Sequence, residues 1–119
     1  MASVLIIEDD KTIRGGLQRL LTNEGMTTYF ADNGQEGIKL AEAHNPTVII
    51  CDIAMPEVDG YQVLAAIRAN PKFAKTPFLF LSAKITPEDE KRGLAAGANA
   101  YLKKPMWPDD IIEVVKKYV

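Results

Sequence analysis

Residues 47–60 read TVIICDIAMPEVDG, and this stretch decides how the rest of the chain is interpreted. The run Val48–Cys51 is continuously apolar, which is typical of a strand buried on both faces of a sheet. An aspartate, Asp52, follows at once, and the chain then turns at Asp59-Gly60. Because buried parallel strands end at the edge of the sheet where ligands bind, Asp52 is a candidate functional group.

Other apolar runs of strand length occur on both sides of this stretch, at Ser3–Ile7, Thr27–Ala31, Phe78–Leu81 and Ala100–Leu102. The segments between them carry apolar residues at helical spacing. A strand followed by a helix, repeated five times, predicts an α/β domain with a parallel sheet covered by helices on both faces. We expect a doubly wound, flavodoxin-like sheet of five strands in the order 2-1-3-4-5.

The composition limits the functions that the chain can have. Its 119 residues, 47% of them apolar, predict one domain over residues 1–119. A net charge of −2 argues against nucleic acid and anionic membranes as partners, and the short apolar run near the N-terminus is no membrane span. A lone Cys51 favours a reducing, cytoplasmic location. A single His44 excludes histidine triads and multi-histidine metal sites.

Polar side chains follow four of the five predicted strands. Glu8 and Asp9 follow the first strand, Asp52 the third, Ser82 the fourth and Lys104 the fifth. In the expected strand order the three carboxylates meet at the point where the order reverses. They would repel one another unless a cation neutralised them, and Mg²⁺ suits a few oxygen ligands that leave room for water and phosphate. A lysine and a hydroxyl beside them complete a receptor for a phosphoryl group, with Asp52 as the nucleophile.

Several of these residues also have ordinary structural interpretations. Asp10 is expected to be a helix N-cap, and Asp59-Gly60 a turn. Taken alone, Glu8-Asp9 fits a solvated loop about as well as a metal site. On spacing, Lys103 competes with Lys104. The functional interpretation depends on these four strand ends together carrying complementary parts of one site.

The chain resembles the receiver domain of two-component response regulators, the family that includes the single-domain chemotaxis regulator. The resemblance rests on VLIIEDD, ICDIAMPEVDG, FLFLSAK and GANAYLKKP, and spans essentially the whole chain. It implies that Asp52 accepts a phosphoryl group from a histidine kinase or phosphotransfer protein. It also implies that Glu8, Asp9, Asp52 and the backbone carbonyl of Ala54 hold Mg²⁺.

The resemblance implies further roles near the end of the chain. Ser82 and Lys104, the lysine directly before the proline, would contact the phosphoryl group, and the Lys104-Pro105 peptide would be cis. Tyr101 matches an aromatic position that swings inward when the Ser82 hydroxyl is drawn to the phosphate. The face made by the fourth helix, fifth strand and last helix would then bind an unknown downstream protein, as a monomer or a phosphorylation-dependent dimer. Glu8 and Ser82 stand where aspartate and threonine are commoner in the family.

Three other functions fit the sequence less well than this one. A flavin-binding module would need a phosphate cradle after the first strand, where EDDK places carboxylates instead. A small aspartate-based phosphatase would carry two aspartates around its first strand end, one as the nucleophile and one as the acid. Here the candidate nucleophile, Asp52, stands alone after the third strand. A structural receiver that is never phosphorylated would more naturally have lost Asp52 or Lys104. The sequence therefore predicts a phosphoacceptor switch with at most slow self-dephosphorylation, and not an enzyme.

Overall fold

The computed structural model describes residues 2–83, 86–104 and 107–119. Its five strands lie in one parallel sheet in the order β2-β1-β3-β4-β5, which confirms the predicted fold. The elements, in chain order, are β1 Ser3–Ile7, α1 Lys11–Asn23, β2 Thr27–Ala31, α2 Gly34–His44, β3 Val48–Asp52, α3 Gly60–Ala69, a 3₁₀ turn Pro71–Phe73, β4 Phe78–Ser82, α4 Pro87–Ala96, β5 Ala100–Lys103 and α5 Pro108–Lys116. Within the described ranges, none of these helices has both the length and the apolar character of a membrane span.

The last three strands end one residue later than the apolar runs predicted. Asp52 pairs with Leu81 in the β3–β4 ladder, and Ser82 pairs with Lys103 in the β4–β5 ladder. Ladder hydrogen bonds join backbone groups, so pairing continues past the last apolar side chain. This extension holds the backbones of Asp52 and Ser82 rigidly at the edge of the sheet.

The sheet separates two hydrophobic clusters, because alternate side chains of each strand point to opposite faces. On one face, the β3 residues Ile49 and Cys51 pack with Val63, Leu64 and Ile67 of α3. On the other face, the β3 residues Val48 and Ile50 pack in a cluster with α1 and α5, through Leu17, Leu21, Ile111 and Val115. The continuous apolar run of β3 is therefore explained by burial on both sides.

Polar side chains cap the N-termini of α1 to α4. Asp10 accepts hydrogen bonds from the amides of Thr12 and Ile13, which confirms its expected role as an N-cap. Asp59 and Gln62 form a capping box at α3, and Thr86 and Asp89 form another at α4. The functional edge of the sheet is thus framed by well-defined helix N-termini.

Arg68 joins the end of α3 to two other segments. Its guanidinium donates to the carbonyls of Phe73 at 2.8 Å, Thr76 at 2.6 Å and Gly97 at 2.9 Å. These contacts tie α3 to the segment that follows it, at Phe73 and Thr76, and to the end of α4, where helix geometry leaves carbonyls without partners inside the helix. Burial lowers the pKa of the guanidinium.

Replacing Arg68 with alanine is expected to lower the free energy of unfolding by about 2 kcal/mol, because several half-buried carbonyls lose a charged donor. Urea denaturation would measure the change. Arg19→Ala, on the exposed surface of α1, is the control and should change stability by less than about 0.5 kcal/mol. Equal effects of the two substitutions would contradict a joining role for Arg68.

Candidate functional site

Three carboxylates meet at the carboxyl edge of the sheet. Glu8 directly follows β1, and Asp52 ends β3, which is the neighbour of β1 in the sheet. One oxygen of Glu8, Asp9 and Asp52 can be chosen so that all three lie within 4.8 Å of one another. Glu8 is fully buried and Asp52 is only 5% exposed, whereas Asp9 is exposed. The structure therefore brings together the three acidic residues that the sequence singled out.

Lys104 places its ammonium group between two of these carboxylates. Its Nζ lies 2.5 Å from Glu8 Oε1 and 3.3 Å from Asp52 Oδ1. The Lys104 amide also donates to the Ser82 carbonyl at 2.7 Å, which fixes the backbone beside β4. Lys103 is exposed and is the last residue of β5. It is therefore Lys104 that contacts the carboxylates.

The electrostatics of the site are unbalanced. Burial raises the pKa of Glu8 to about 7, even though the hydrogen bond from Lys104 opposes the shift. Burial lowers the pKa of Lys104, but the hydrogen bond to Glu8 and the negative charges of Asp52 and Glu8 outweigh it, so that its pKa is raised. Among the described residues, one ammonium group contacts a cluster of three carboxylates, which leaves an excess of negative charge.

The residues present fit a small divalent cation. Glu8 Oε2 is buried and accepts no hydrogen bond from any described residue, so this carboxylate oxygen is available to coordinate a metal ion inside the site. The side-chain atoms of this cluster that could bind a metal are carboxylate oxygens, the ligands that hard cations such as Mg²⁺ prefer. The excess negative charge at this edge favours the same kind of ion.

The loop after β3 passes close beneath the start of α3. Ala54 is exposed in this loop, two residues beyond Asp52. The Gly60 amide donates to the Ile53 carbonyl at 2.9 Å. A Cβ on Gly60 would lie 2.6 Å from the Asp52 carbonyl oxygen, closer than real Cβ atoms approach such an atom. Asp59-Gly60 was predicted as a turn, but Asp59 caps α3 and Gly60 is needed for this close approach.

Ser82 and Tyr101 lie on the neighbouring strands β4 and β5, and β4 pairs with β3, the strand that ends in Asp52. Ser82 ends β4 and is half-buried. Tyr101 lies on β5 with its ring against α4, where its hydroxyl donates to the Asp89 carbonyl at 2.7 Å. A second hydrogen bond of 2.8 Å joins the hydroxyls of Tyr101 and Tyr61. Burial raises the pKa of Tyr101, and the hydrogen bond with Tyr61 adds to the shift.

The expected cis peptide at Lys104-Pro105 lies outside the described residues, because Pro105 does. The partners of Tyr101 were missed by the sequence analysis altogether. Of these partners, Gly93 could have been suggested by the sequence, because an isolated glycine in a helical segment often marks a close approach.

Comparison with known proteins places this site in a family. The family model for the response regulator receiver domain matches residues 4–116. The chain is 38% identical to the cell cycle response regulator CtrA of Brucella ovis, over 92% of this chain and 46% of that protein. It is 34% identical to the probable transcriptional regulator ycf29 of Pyropia yezoensis, over 98% of this chain and 52% of that protein. The chain thus spans about half the length of these relatives.

Solved structures give the same result. The chemotaxis protein CheY4 of Vibrio cholerae superposes with a TM-score of 0.96 at 30% identity, covering 100% of this chain and 99% of that one. The receiver domain of the sensor histidine kinase PA1611 from Pseudomonas aeruginosa superposes with a TM-score of 0.90 at 25% identity, covering 98% and 96%. That neighbour was crystallised with a magnesium ion coordinated in its active site cleft.

Proposed function

The chain belongs to the response regulator receiver domain family of two-component signalling, and from this premise we propose that it is a switch operated by phosphorylation of Asp52. The observation that carries the proposal is the pairing of a nearly buried Asp52 with Lys104 beside two further carboxylates. Members of the family interact with histidine kinases or phosphotransfer proteins, and we propose a phosphohistidine of such a protein as the donor.

In the proposed reaction an Asp52 carboxylate oxygen forms a bond to phosphorus while the phosphorus–nitrogen bond of the donor phosphohistidine breaks. The electron pair of that bond leaves with the imidazole nitrogen, and Asp52 becomes an acyl phosphate. Lys104 is within 3.3 Å of Asp52 and would pair with the negative charge of the new group. Ser82, on the strand next to Asp52, would offer its hydroxyl to the same group.

Glu8, Asp9, Asp52 and the Ala54 carbonyl are the proposed ligands of Mg²⁺. The ion would neutralise charge among the phosphoryl oxygens and the carboxylates, which is its usual contribution to phosphoryl transfer. The comparison with the PA1611 receiver, whose cleft holds magnesium, supports this assignment. Glu8 would contribute its otherwise unpartnered Oε2.

The proposed output is a change in the face made by α4, β5 and α5. A phosphoryl group on Asp52 adds negative charge that Lys104 and Ser82 can bind, which biases an equilibrium between two packings of this face. Leu94 of α4 is 53% exposed, and Trp107, just before α5, is 78% exposed. Such exposed apolar side chains suit the binding of a downstream protein, as a monomer or through a phosphorylation-dependent dimer. We place this signalling in the cytoplasm.

The test is intact-mass measurement after incubation with Mg²⁺ and a small-molecule phosphodonor. We expect one added phosphoryl group on the wild type, none on Asp52→Asn, and none when EDTA removes the metal. Asp10→Asn is the matched control, because asparagine caps helices as well as aspartate does and the wild-type gain in mass should persist. Phosphorylation of Asp52→Asn to the wild-type level would contradict the proposal. When a phosphate ester replaces the phosphodonor, we expect no repeated hydrolysis of the ester by each protein molecule.

A further inference from the structure

The ring of Tyr101 occupies space that a side chain on α4 would otherwise fill. A Cβ built on Gly93 would lie 2.3 Å from Tyr101 Cε2 and 2.5 Å from its hydroxyl oxygen. Alanine at position 93 would therefore force the ring to move. Glycine in a helix interior costs stability relative to alanine, so Gly93 weakens α4 but admits the tyrosine.

The hydrogen bonds of the Tyr101 hydroxyl have a defined direction. A tyrosine hydroxyl has one proton to donate. Tyr101 donates its proton to the Asp89 carbonyl at 2.7 Å, so in the 2.8 Å contact between the two hydroxyls Tyr61 must be the donor. We call this half-buried position, with the ring against Gly93 and Phe80, the inward position, and in it the Tyr101 hydroxyl both donates and accepts a hydrogen bond. Turned outward, it would lose both contacts.

Tyr61 is itself held in place from two sides. The guanidinium carbon of Arg92 lies 4.1 Å from the centre of the Tyr61 ring, a cation–π geometry. On the other side the Tyr61 ring packs against Phe80 with ring centres 4.9 Å apart, and Phe80 in turn packs against Tyr101 at 5.3 Å. The Tyr61 hydroxyl is therefore oriented before it meets Tyr101, which lowers the entropy lost in forming the bond.

We propose that Tyr61 is a positioning residue that holds Tyr101 inward while Asp52 is unphosphorylated. Gly93 contributes by leaving room for the Tyr101 ring on α4. The family resemblance leads one to expect that Tyr101 moves inward in response to phosphorylation. Here the hydrogen bond from α3 and the missing side chain on α4 stabilise the inward position without a phosphoryl group. The inward fraction is then set by Tyr61 as well as by the state of the phosphorylation site.

One consequence rests on the proposed function. If Tyr101 is already mostly inward, phosphorylation can change its position only slightly in the wild type. Without the Tyr61 hydroxyl the starting fraction falls, and phosphorylation has more of the population left to move. Tyr61 thus sets how strongly the α4–β5 part of the face responds to Asp52.

The experiment labels the four tyrosines with 3-fluorotyrosine and follows the Tyr101 signal by ¹⁹F NMR, assigned with Tyr101→Phe. Its chemical-shift difference between H₂O and D₂O reports solvent exposure. In unphosphorylated Tyr61→Phe, which keeps the ring, we expect the inward-to-outward ratio of Tyr101 to fall about fivefold for the lost hydrogen bond. Tyr118→Phe, whose hydroxyl contacts the Asn99 carbonyl instead, is the control and should leave the signal unchanged.

Gly93→Ala is the second variant, and it should improve helix propensity while excluding the ring. We expect it to move the Tyr101 signal to the fully exposed limit. An inward-to-outward ratio in Tyr61→Phe equal to that of the wild type, or a buried Tyr101 signal in Gly93→Ala, would overturn the proposal if the remaining tyrosine signals are unchanged.

The change of the Tyr101 signal on phosphorylation is a second readout, because a purely structural role of Tyr61 would leave that change the same in Tyr61→Phe and in the wild type. The shift of the Tyr101 signal on phosphorylation should be larger in Tyr61→Phe than in the wild type, and equal shifts would overturn the consequence for signalling. If no variant is phosphorylated, the proposed function fails by itself. The comparison of unphosphorylated proteins needs no phosphoryl group and still decides whether Tyr61 positions Tyr101.

Discussion

Replacing Lys104 with methionine is expected to lower the free energy of unfolding of the Mg²⁺-free protein by about 3 kcal/mol at pH 8, which corresponds to a fall in Tm of about 10 °C. Lys104 contacts Glu8 at 2.5 Å and Asp52 at 3.3 Å, and both carboxylates are buried. Methionine matches the length of the apolar stem and removes only the charge and its hydrogen bonds. Two buried carboxylates would then face each other without a cation.

The loss should depend on pH in a direction that follows from Glu8. The pKa of Glu8 in the folded protein, about 7, lies above its ordinary value of 4.5. The folded state therefore binds this proton more tightly than the unfolded state, and Glu8 reduces stability progressively as the pH rises from 4.5 to 7. Without Lys104 the pKa of Glu8 should rise further. The difference between the variant and the wild type is thus expected to be larger at pH 8 than at pH 5.

Thermal unfolding in EDTA at pH 5 and pH 8 would measure these differences. Lys103→Met is the matched control, because Lys103 is the adjacent lysine and is exposed, so its loss should change stability by less than about 0.5 kcal/mol. Adding Mg²⁺ should stabilise Lys104→Met more than it stabilises the wild type, because the ammonium group no longer competes for the carboxylates. An Lys104→Met protein as stable as Lys103→Met at pH 8 would show that Lys104 does not neutralise the site.

The fold followed from the sequence because local pattern and topology agree. Continuous apolar runs such as Val48–Cys51 predicted strands covered on both faces, and the structure has helices on both sides of β3. The strand order followed from the rule for doubly wound sheets. Strand ends were less predictable, since Asp52, Ser82 and Lys103 belong to ladders that are held by backbone groups and not by side-chain character.

The site was predictable only where position along a strand decides it. Charged residues after β1 and β3 had to meet once those strands were neighbours, which is why Glu8 and Asp52 could be grouped. Contacts between the side chains of a helix and a distant strand have no such rule. The bond between Tyr61 and Tyr101 joins residues 40 positions apart on α3 and β5, and nothing in either local sequence indicates the other.

Glycines show the same division between local and tertiary causes. Gly15 and Gly16 are adjacent in α1, where each glycine weakens the helix by roughly 1 kcal/mol relative to alanine. The structure shows no atom within 4 Å of the Cβ that either residue would carry, apart from α1's own backbone and chain neighbours. Among the described residues, no close approach of another backbone explains either glycine. Gly60, which was attributed to a turn, is the one that another backbone approaches closely.

Replacing Gly60 with alanine is expected to lower the free energy of unfolding by about 3 kcal/mol, at the upper end of the cost of overpacking. The new Cβ would lie 2.6 Å from the Asp52 carbonyl oxygen and 2.7 Å from Ile53 Cα. Both are backbone atoms, one of them in the last residue of β3, so no side-chain rotation can relieve the contact. Either α3 or the end of β3 must move.

The same displacement should slow phosphorylation by about tenfold or more, because Asp52 would move relative to Lys104 and Ser82. Gly16→Ala is the matched control, since it makes the same chemical change in open space within a helix and should raise stability by up to about 1 kcal/mol. Urea denaturation gives the stability of both variants, and the rate of mass gain with the phosphodonor gives the effect on Asp52. A Gly60→Ala protein with wild-type stability and phosphorylation rate would show that this loop tolerates a side chain. A stable variant that is phosphorylated slowly would mean that α3 stays in place and the end of β3 moves.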